Sequence, residues 1–431
     1  MAWKDLEPEV VPCSRCGACQ QVCPIYQELG SEASSARGKI ALIRAAGRGW
    51  STDPEALAGR MSLCLACKAC AANCPSGVRG DRLVLAARRN LVDAQGLPPL
   101  KRLVLRMFLR HKAVFGLGLR LGSFGQRLFF RRVRGGFLPR LPMGLDTRRL
   151  VPALAARPLR SRFPATVEAP GARGVVALFT GCMVNHVYPE IGEAALKVLH
   201  QQGITVVIPP SQHCCGLAAH ANGDQGTALE LGRAVLDCLG DAKVDAVLTL
   251  CGSCGSTLKN ELGEWFEQDP ALAARAKALS IRVQDFAEYL AAIGLRGPLA
   301  PLEGRATYHE SCHLTRGQGV KTQPRDLIRA IPGLEFRELA APGRCCGSAG
   351  SFSLAHYDLT LRISARKTED IRGTGADTVV TGCPSCVMQL RDGLHQAGES
   401  ARVVHLAQLL AEALPEAATF FCNNPPVGTS N

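Results

Sequence analysis

No uninterrupted apolar run in the sequence reaches the roughly 18 residues of a membrane span, so the chain is not expected to cross a bilayer. Met1 to Val10 (MAWKDLEPEV) shows no charged-then-apolar secretion signal. At 431 residues the chain is also far longer than a small disulfide-stapled domain. A G-x-G-x-x-G fingerprint following a strand is missing, and neither flavin nor NAD is expected here. Acidic residues are scarce in one place. Between Leu97 and Arg162 stand sixteen Lys or Arg against a single acid, Asp146. The net charge of +13 is therefore a property of that segment, and the remainder is close to neutral.

What is abundant is cysteine, twenty in all. Without signs of secretion, these read as thiolates that bind metal in a reducing, cytoplasmic compartment. Residues 13 to 24 spell Cys13-x-x-Cys16-x-x-Cys19-x-x-x-Cys23-Pro24, and residues 64 to 75 repeat it as Cys64-x-x-Cys67-x-x-Cys70-x-x-x-Cys74-Pro75. In the bacterial ferredoxin run, three thiolates hold one 4Fe–4S cube and the fourth crosses to the other. One cube is expected on Cys13, Cys16, Cys19 and Cys74, the second on Cys64, Cys67, Cys70 and Cys23. Small neighbours (Gly17, Ala18, Ala66, Ala69) let backbone amides approach the sulfides. Structural zinc, the alternative, usually takes Cys-x-x-Cys pairs from two distant places. Helical composition over 35–48, 53–62 and 81–94, with Asp53 as N-cap before Pro54, points to an all-helical two-cluster module.

A second duplication follows. Cys214-Cys215-Gly216 has Cys182 upstream and Cys251-x-x-Cys254 downstream; Cys345-Cys346-Gly347 has Cys312 upstream and Cys383-x-x-Cys386 downstream. Thirty-one and thirty-two residues precede the pair, and thirty-four and thirty-five follow the glycine. Five thiolates per copy exceed what saturates zinc or a cubane, which points to a polynuclear iron site. Zinc on Cys251, Cys254 and the pair, with Cys182 and Cys312 idle, is the alternative. Gly216 and Gly347 are expected at tight turns that aim adjacent thiolates at one centre.

Strands and helices alternate from Gly174 onward, which predicts α/β domains with parallel, Rossmann-like sheets and ligand sites beyond the strand ends. Strands are expected at 175–179, 204–208, 246–250, 305–308, 335–339 and 378–381, and helices at 190–202, 226–239, 326–330, 354–371 and 403–414. The expected domains are a ferredoxin module over 1–96, a basic amphipathic connector over 97–170, cysteine-rich domains over 171–297 and 298–417, and a disordered tail over 418–431. In the connector, Leu100, Val104, Met107 and Phe108 share one helical face. A second helical stretch, Leu117 to Val133, sets Phe124, Leu128 and Phe129 against Arg120, Arg127, Arg131 and Arg132. Such a surface suits an anionic membrane or a partner subunit over residues 97–140, or serves as a solvated linker; no nucleic-acid motif accompanies the charge.

The cysteine pattern resembles the CCG domains of heterodisulfide reductases. The order of two ferredoxin runs, basic connector and two CCG domains resembles the iron–sulfur subunits of glycolate oxidase and related D-lactate dehydrogenases, as do CPIYQELGSEASSARGKIALIRA after Cys23 and CPSGV after Cys74. The resemblance implies an FAD-linked partner subunit that oxidises a 2-hydroxy acid, glycolate or lactate. Electrons would then pass through this chain to a quinone or another carrier, at the inner face of the cytoplasmic membrane. It also implies one or two noncubane 4Fe–4S clusters on the five-cysteine repeats. Glycolate oxidase subunits often lack the first cysteine of the Cys-x-x-Cys in the first repeat, whereas Cys251 is present. Two complete sites leave open a heterodisulfide-reductase-like role, and an iron–sulfur subunit of an anaerobic glycerol-3-phosphate dehydrogenase is a further alternative. No catalytic residue is assigned. His213, His309, Glu310 and His313 border the cysteines and either tune them or serve as hydrogen-bonded structural residues. Cys238 is read as a core residue, and Cys422 lies outside any repeat.

Overall fold

The computed structural model describes residues 3–50, 53–110, 112–142 and 144–415. Cys422 and the tail lie outside them.

No strand occurs among the described residues before Phe130. Ser35 caps the helix Ala36–Gly47 by accepting from Gly38 N at 3.2 Å. Asp53 caps Pro54–Ser62 by accepting from Glu55 N at 2.9 Å, with Pro54 in the first turn where a missing N–H costs nothing. These helices and Gly80–Gln95 enclose Ile43, Met61, Leu83, Val84 and Ala87.

In the connector, Pro99–Arg102 runs through a π-helical turn, Leu103–Phe108, and is followed by the helix Lys112–Phe129. The helical pattern expected to reach Val133 stops earlier. β1 (Phe130–Val133) and β2 (Gly136–Pro139) form an antiparallel hairpin. Its turn uses Gly135 at φ +86°, a left-handed conformation natural to glycine.

The remainder is two α/β units with one topology. β3 (Thr166–Val167) is a short antiparallel edge. β4 (Gly174–Phe179), β5 (Ile204–Val207), β6 (Ala246–Thr249) and β7 (Val283–Asp285) then pair in parallel, giving the order β3-β5-β4-β6-β7. In the second unit, β8 (Gly304–His309), β9 (Leu334–Phe336), β10 (Thr378–Thr381) and β11 (Arg402–His405) are all parallel, in the order β11-β10-β8-β9. Apart from the extra edge, the two sheets are the same arrangement used twice.

Two further expectations are corrected, and one parallel strand is unexpected. The closing helix expected over 403–414 is a strand, β11, followed by the helix Leu406–Glu412, because a parallel strand buried on both faces is an apolar run without alternation. β7 carries no signal in the sequence for a different reason: Val-Gln-Asp is three residues long and mostly polar. The helix expected over 354–371 is divided at His356 (φ −128°) into Ser351–Ala355 and Tyr357–Thr374.

Candidate functional site

The two N-terminal runs fold back on each other. Cys13, Cys16, Cys19 and Cys74 line one small cavity, and Cys23, Cys64, Cys67 and Cys70 line the next, with Cys70 also touching the first. Each run turns through left-handed residues at matching places, Arg15 and Gly17 in the first, Ala66 and Lys68 in the second. Backbone amides reach the sulfurs: Ala66 N donates to Cys64 Sγ at 3.4 Å and Val78 N to Cys74 Sγ at 3.3 Å. Burial pushes the Cys67 thiol up to about 11 and raises Cys23 and Cys70. Buried Lys39, its own pKa lowered by desolvation, is drawn back up by Cys64 and Cys23.

In each α/β unit the cysteines gather beyond the carboxyl ends of the strands. In the first, Cys182, Cys214, Cys215, Cys254 and Cys251 crowd together closely enough to perturb one another's thiols. In the second, Cys345, Cys346, Cys386 and Cys383 do the same, with Cys312 close to Cys346 and Cys383. One thiol of each close pair is stabilised as a thiolate by its neighbour: Cys214 is lowered by Cys182, Cys346 by Cys345, and Cys383 by Cys251. Gly216 and Gly347, at φ +87° and +92°, make the turns beside the pairs. A Cβ would meet the Trp265 ring at 3.0 Å in one case and Thr360 O at 2.9 Å in the other.

Sequence reasoning treats the two five-cysteine sets separately, but they share a wall. Cys251 Sγ lies 3.9 Å from Cys383 Sγ. The short helix Gly252–Ser256 packs on Cys312–Gln318, and a Cβ on Gly252 would meet Leu314 N at 3.1 Å. Between the sets and the N-terminal module lies a cavity of about 850 Å³, lined by thiols of both repeats and by Arg88, Lys101, His313 and His356.

The module is fastened to both repeats. Cys67 is near enough to raise the thiols of Cys312 and Cys345. His313 Nε2 is 3.0 Å from Ala66 O, and Arg316 donates to Cys67 O at 3.2 Å. On the first-repeat side, half-buried Lys68 pairs with buried Glu261 at 2.7 Å and buried Asp81 at 3.5 Å. Arg88 donates to Cys64 O at 2.6 Å and Ala221 O at 2.7 Å. Lys39, Lys68 and Arg88 do not stand out in the sequence, where a basic residue beside small ones reads as solvated; only their tertiary partners mark them. Glu310 is occupied by Arg325 at 2.8 Å. His309 groups with Cys346 and Cys386, their ligand atoms lying within 4.8 Å of one another. Cys238 stands apart, receiving a bond from Ser211 Oγ at 3.2 Å.

The donor set fits iron–sulfur chemistry. Soft thiolates select such clusters, and the thiols of the repeats crowd together, most of them buried, an arrangement that iron would satisfy. Thr249 Oγ1, Thr381 Oγ1 and His309 Nδ1, buried at the same strand ends, have no hydrogen-bond partner.

These features define an iron–sulfur protein. Residues 9–78 match the family model of the 4Fe-4S dicluster domain, and residues 176–259 and 306–391 each match that of the CCG cysteine-rich domain. The "Probable glycolate oxidase iron-sulfur subunit" of Bacillus subtilis is 33% identical over 94% of this chain and 94% of its own length. "Lactate utilization protein A" of Geobacillus kaustophilus is 33% identical over 54% of this chain and 98% of its own. The chain belongs to the glycolate oxidase iron–sulfur subunit family. A crystal structure of a hypothetical protein from Helicobacter pylori shares the fold, with a TM-score of 0.56 at 11% identity over 96% of this chain and 76% of that one.

Proposed function

We propose that this chain is the electron-transfer subunit of an FAD-linked 2-hydroxy-acid oxidoreductase that acts on glycolate or lactate. A partner flavoprotein oxidises the hydroxy acid, and a quinone or another carrier accepts the electrons. Two 4Fe–4S clusters are assigned to Cys13, Cys16, Cys19, Cys74 and to Cys64, Cys67, Cys70, Cys23. Noncubane 4Fe–4S clusters are assigned to Cys182, Cys214, Cys215, Cys251, Cys254 and to Cys312, Cys345, Cys346, Cys383, Cys386, at the strand ends of two Rossmann-like domains. Bound there, the clusters supply one-electron transfer. The protein buries the thiolates, turns amides toward sulfur, and sets Lys39 beside the second cube to offset negative charge.

The observation that carries this reading is the packing of the Cys64–Cys70 run on the second repeat, where Cys67 lies against the hydrophobic cluster that holds Cys345 and Arg316 donates to Cys67 O at 3.2 Å, a proximity that supports one relay through both kinds of cysteine site. The test is anaerobic purification with partner subunits. Glycolate- or lactate-dependent dye reduction and iron signals by EPR are expected, and absence of a co-purifying flavoprotein together with absence of dye reduction would refute it.

The wall shared by Cys251 and Cys383, facing a cavity of about 850 Å³, favours one second reading, a heterodisulfide-reductase-like enzyme. Reduction of a disulfide by the isolated, pre-reduced chain would support it; failure to turn over any disulfide counts against it.

A further inference from the structure

The helix Lys112–Phe129 presents its apolar side the wrong way round for a helix on a water-facing surface. Leu117, Leu121, Phe124 and Leu128 recur every three or four residues and so form one stripe. All four are exposed, Phe124 at 76%. The opposite side is the packed one. The Phe115 ring meets His186 edge-on, with centroids 4.9 Å apart. Gln126 donates to Pro152 O at 2.8 Å and accepts from Leu154 N at 3.0 Å. Anchored there, the helix cannot roll its stripe inward. Of the fifteen large hydrophobic side chains left exposed among the described residues, ten fall between Leu100 and Leu141. Apolar surface so concentrated marks an interaction site.

The charges beside it select the partner. Arg120 and Arg127 border the stripe, and Arg131, Arg132 and Arg140 extend from the hairpin that follows; all five are exposed. Arg106 and Arg110, nearer the body of the protein, pair with Asp224 at 3.1 Å and Glu230 at 2.6 Å. Among the described residues no acidic side chain pairs with the outer five. Residues 97–145 contain no acid, tyrosine or tryptophan. An acid-free run whose outer arginines have no acidic partner among the described residues, set beside a stripe of leucine and phenylalanine, is complementary to acyl chains beneath anionic head groups. No described helix is long and apolar enough to cross a membrane.

We propose that the Leu117–Leu128 stripe and its flanking arginines form a peripheral docking surface for an anionic lipid bilayer, with the helix lying in the plane of the head groups. This goes beyond the electron-transfer reading and does not depend on which hydroxy acid or acceptor is used.

The test is flotation of the anaerobic, cluster-loaded full chain with vesicles of phosphatidylcholine alone or mixed with phosphatidylglycerol. Binding is expected to the mixed vesicles only and to weaken as salt is raised. L121D/F124D is expected to abolish flotation with iron content and thermal midpoint unchanged. R127A/R131A/R132A should lower the partition coefficient roughly 10²-fold, from the contribution of each basic residue at an anionic surface. The proposal is overturned if the native chain floats with neither vesicle, or if L121D/F124D floats as before. It is equally overturned if hydrogen exchange shows the stripe shielded by the flavoprotein partner and not by vesicles. Failure of the native chain to float with either vesicle, with hydroxy-acid-dependent dye reduction intact, would refute this surface alone and leave the electron-transfer reading standing.

Discussion

The two cysteine-rich repeats agree in strand order and thiols but differ in the row of residues beneath them. In the first, Phe179, Thr249 and Asp285 lie side by side across β4, β6 and β7. In the second, the row across β8, β10 and β11 is His309, Thr381 and His405. The threonine is kept, while an apolar ring has become an imidazole and an acid has become a second imidazole. His309 stands within 4.8 Å of the Cys346 sulfur and is among the groups that hold it as a thiolate; Phe179 offers Cys182 and its neighbours no polar group. The second repeat also abuts the cube loop through Cys67. Duplication has preserved the five cysteines and changed the polar groups around them, so the two sites are not interchangeable copies.

The sharpest way to break this comparison is to remove one pair at a time. C345S/C346S is expected to reduce hydroxy-acid-dependent dye reduction to background, because it cuts the relay next to the second cube. C214S/C215S should lose the iron of the first site while leaving the second-site EPR signal reducible. Iron and sulfide analysis with EPR checks both, and equal outcomes would erase the distinction.

Next in size is the attachment of the module to the first repeat. K68M leaves Glu261 and Asp81 buried without their cation, and removal of one partner from a buried pair costs about 3–5 kcal/mol. A clear fall in the thermal midpoint is expected. R316M, which loses bonds to Cys67 O and Gly343 O, should cost less. If R316M proves the more damaging, the second repeat carries the main attachment.

A smaller effect tests the row itself. Hydrogen bonds to sulfur raise cluster potentials, so H309F should lower the second-site potential by roughly tens of millivolts, as expected for one charge-assisted bond. F179H should raise that of the first. Potentiometric EPR titration reads both, and no shift in either direction would show the imidazole to be structural.

The smallest concerns Asp285, which burial pushes up to about 7. The folded chain then holds this proton over roughly pH 4–7 while the unfolded chain releases it, so the stabilisation is complete below that window and is lost as pH rises through it. Above pH 7, D285N should be more stable than the native chain by about 1–2 kcal/mol. Below pH 4 the two should coincide in thermal scans.

Legibility in the sequence follows the range of the physics. Cysteine spacing is local, so the four groups of thiols are readable, including the exchange of Cys23 and Cys74 between runs. The glycines after each pair are readable because a tight turn restricts the residue type. β7 escapes because three mostly polar residues are too short to show a period, and β11 because its buried Val403, Val404 and His405 run without alternation. Lys68 escapes for a different reason. It takes the left-handed conformation that Gly17 supplies in the first run, costing roughly 1–2 kcal/mol for a residue with a Cβ, and the ion pair that offsets this lies 193 residues away. The hairpin β1–β2 has a local signal in Gly135-Gly136, but the arginine-rich amphipathic pattern before it outweighs that signal.

The contact between Cys251 and Cys383 bears on how the molecule is made. Two thiols from different domains, 3.9 Å apart, are a short movement from the roughly 2 Å of a covalent sulfur bridge. A newly synthesised chain meeting oxygen before iron can staple its halves together across the chamber and close both metal sites at once. A chain oxidised there is expected to stay folded with both sites short of a thiol until a reductant reopens the bridge.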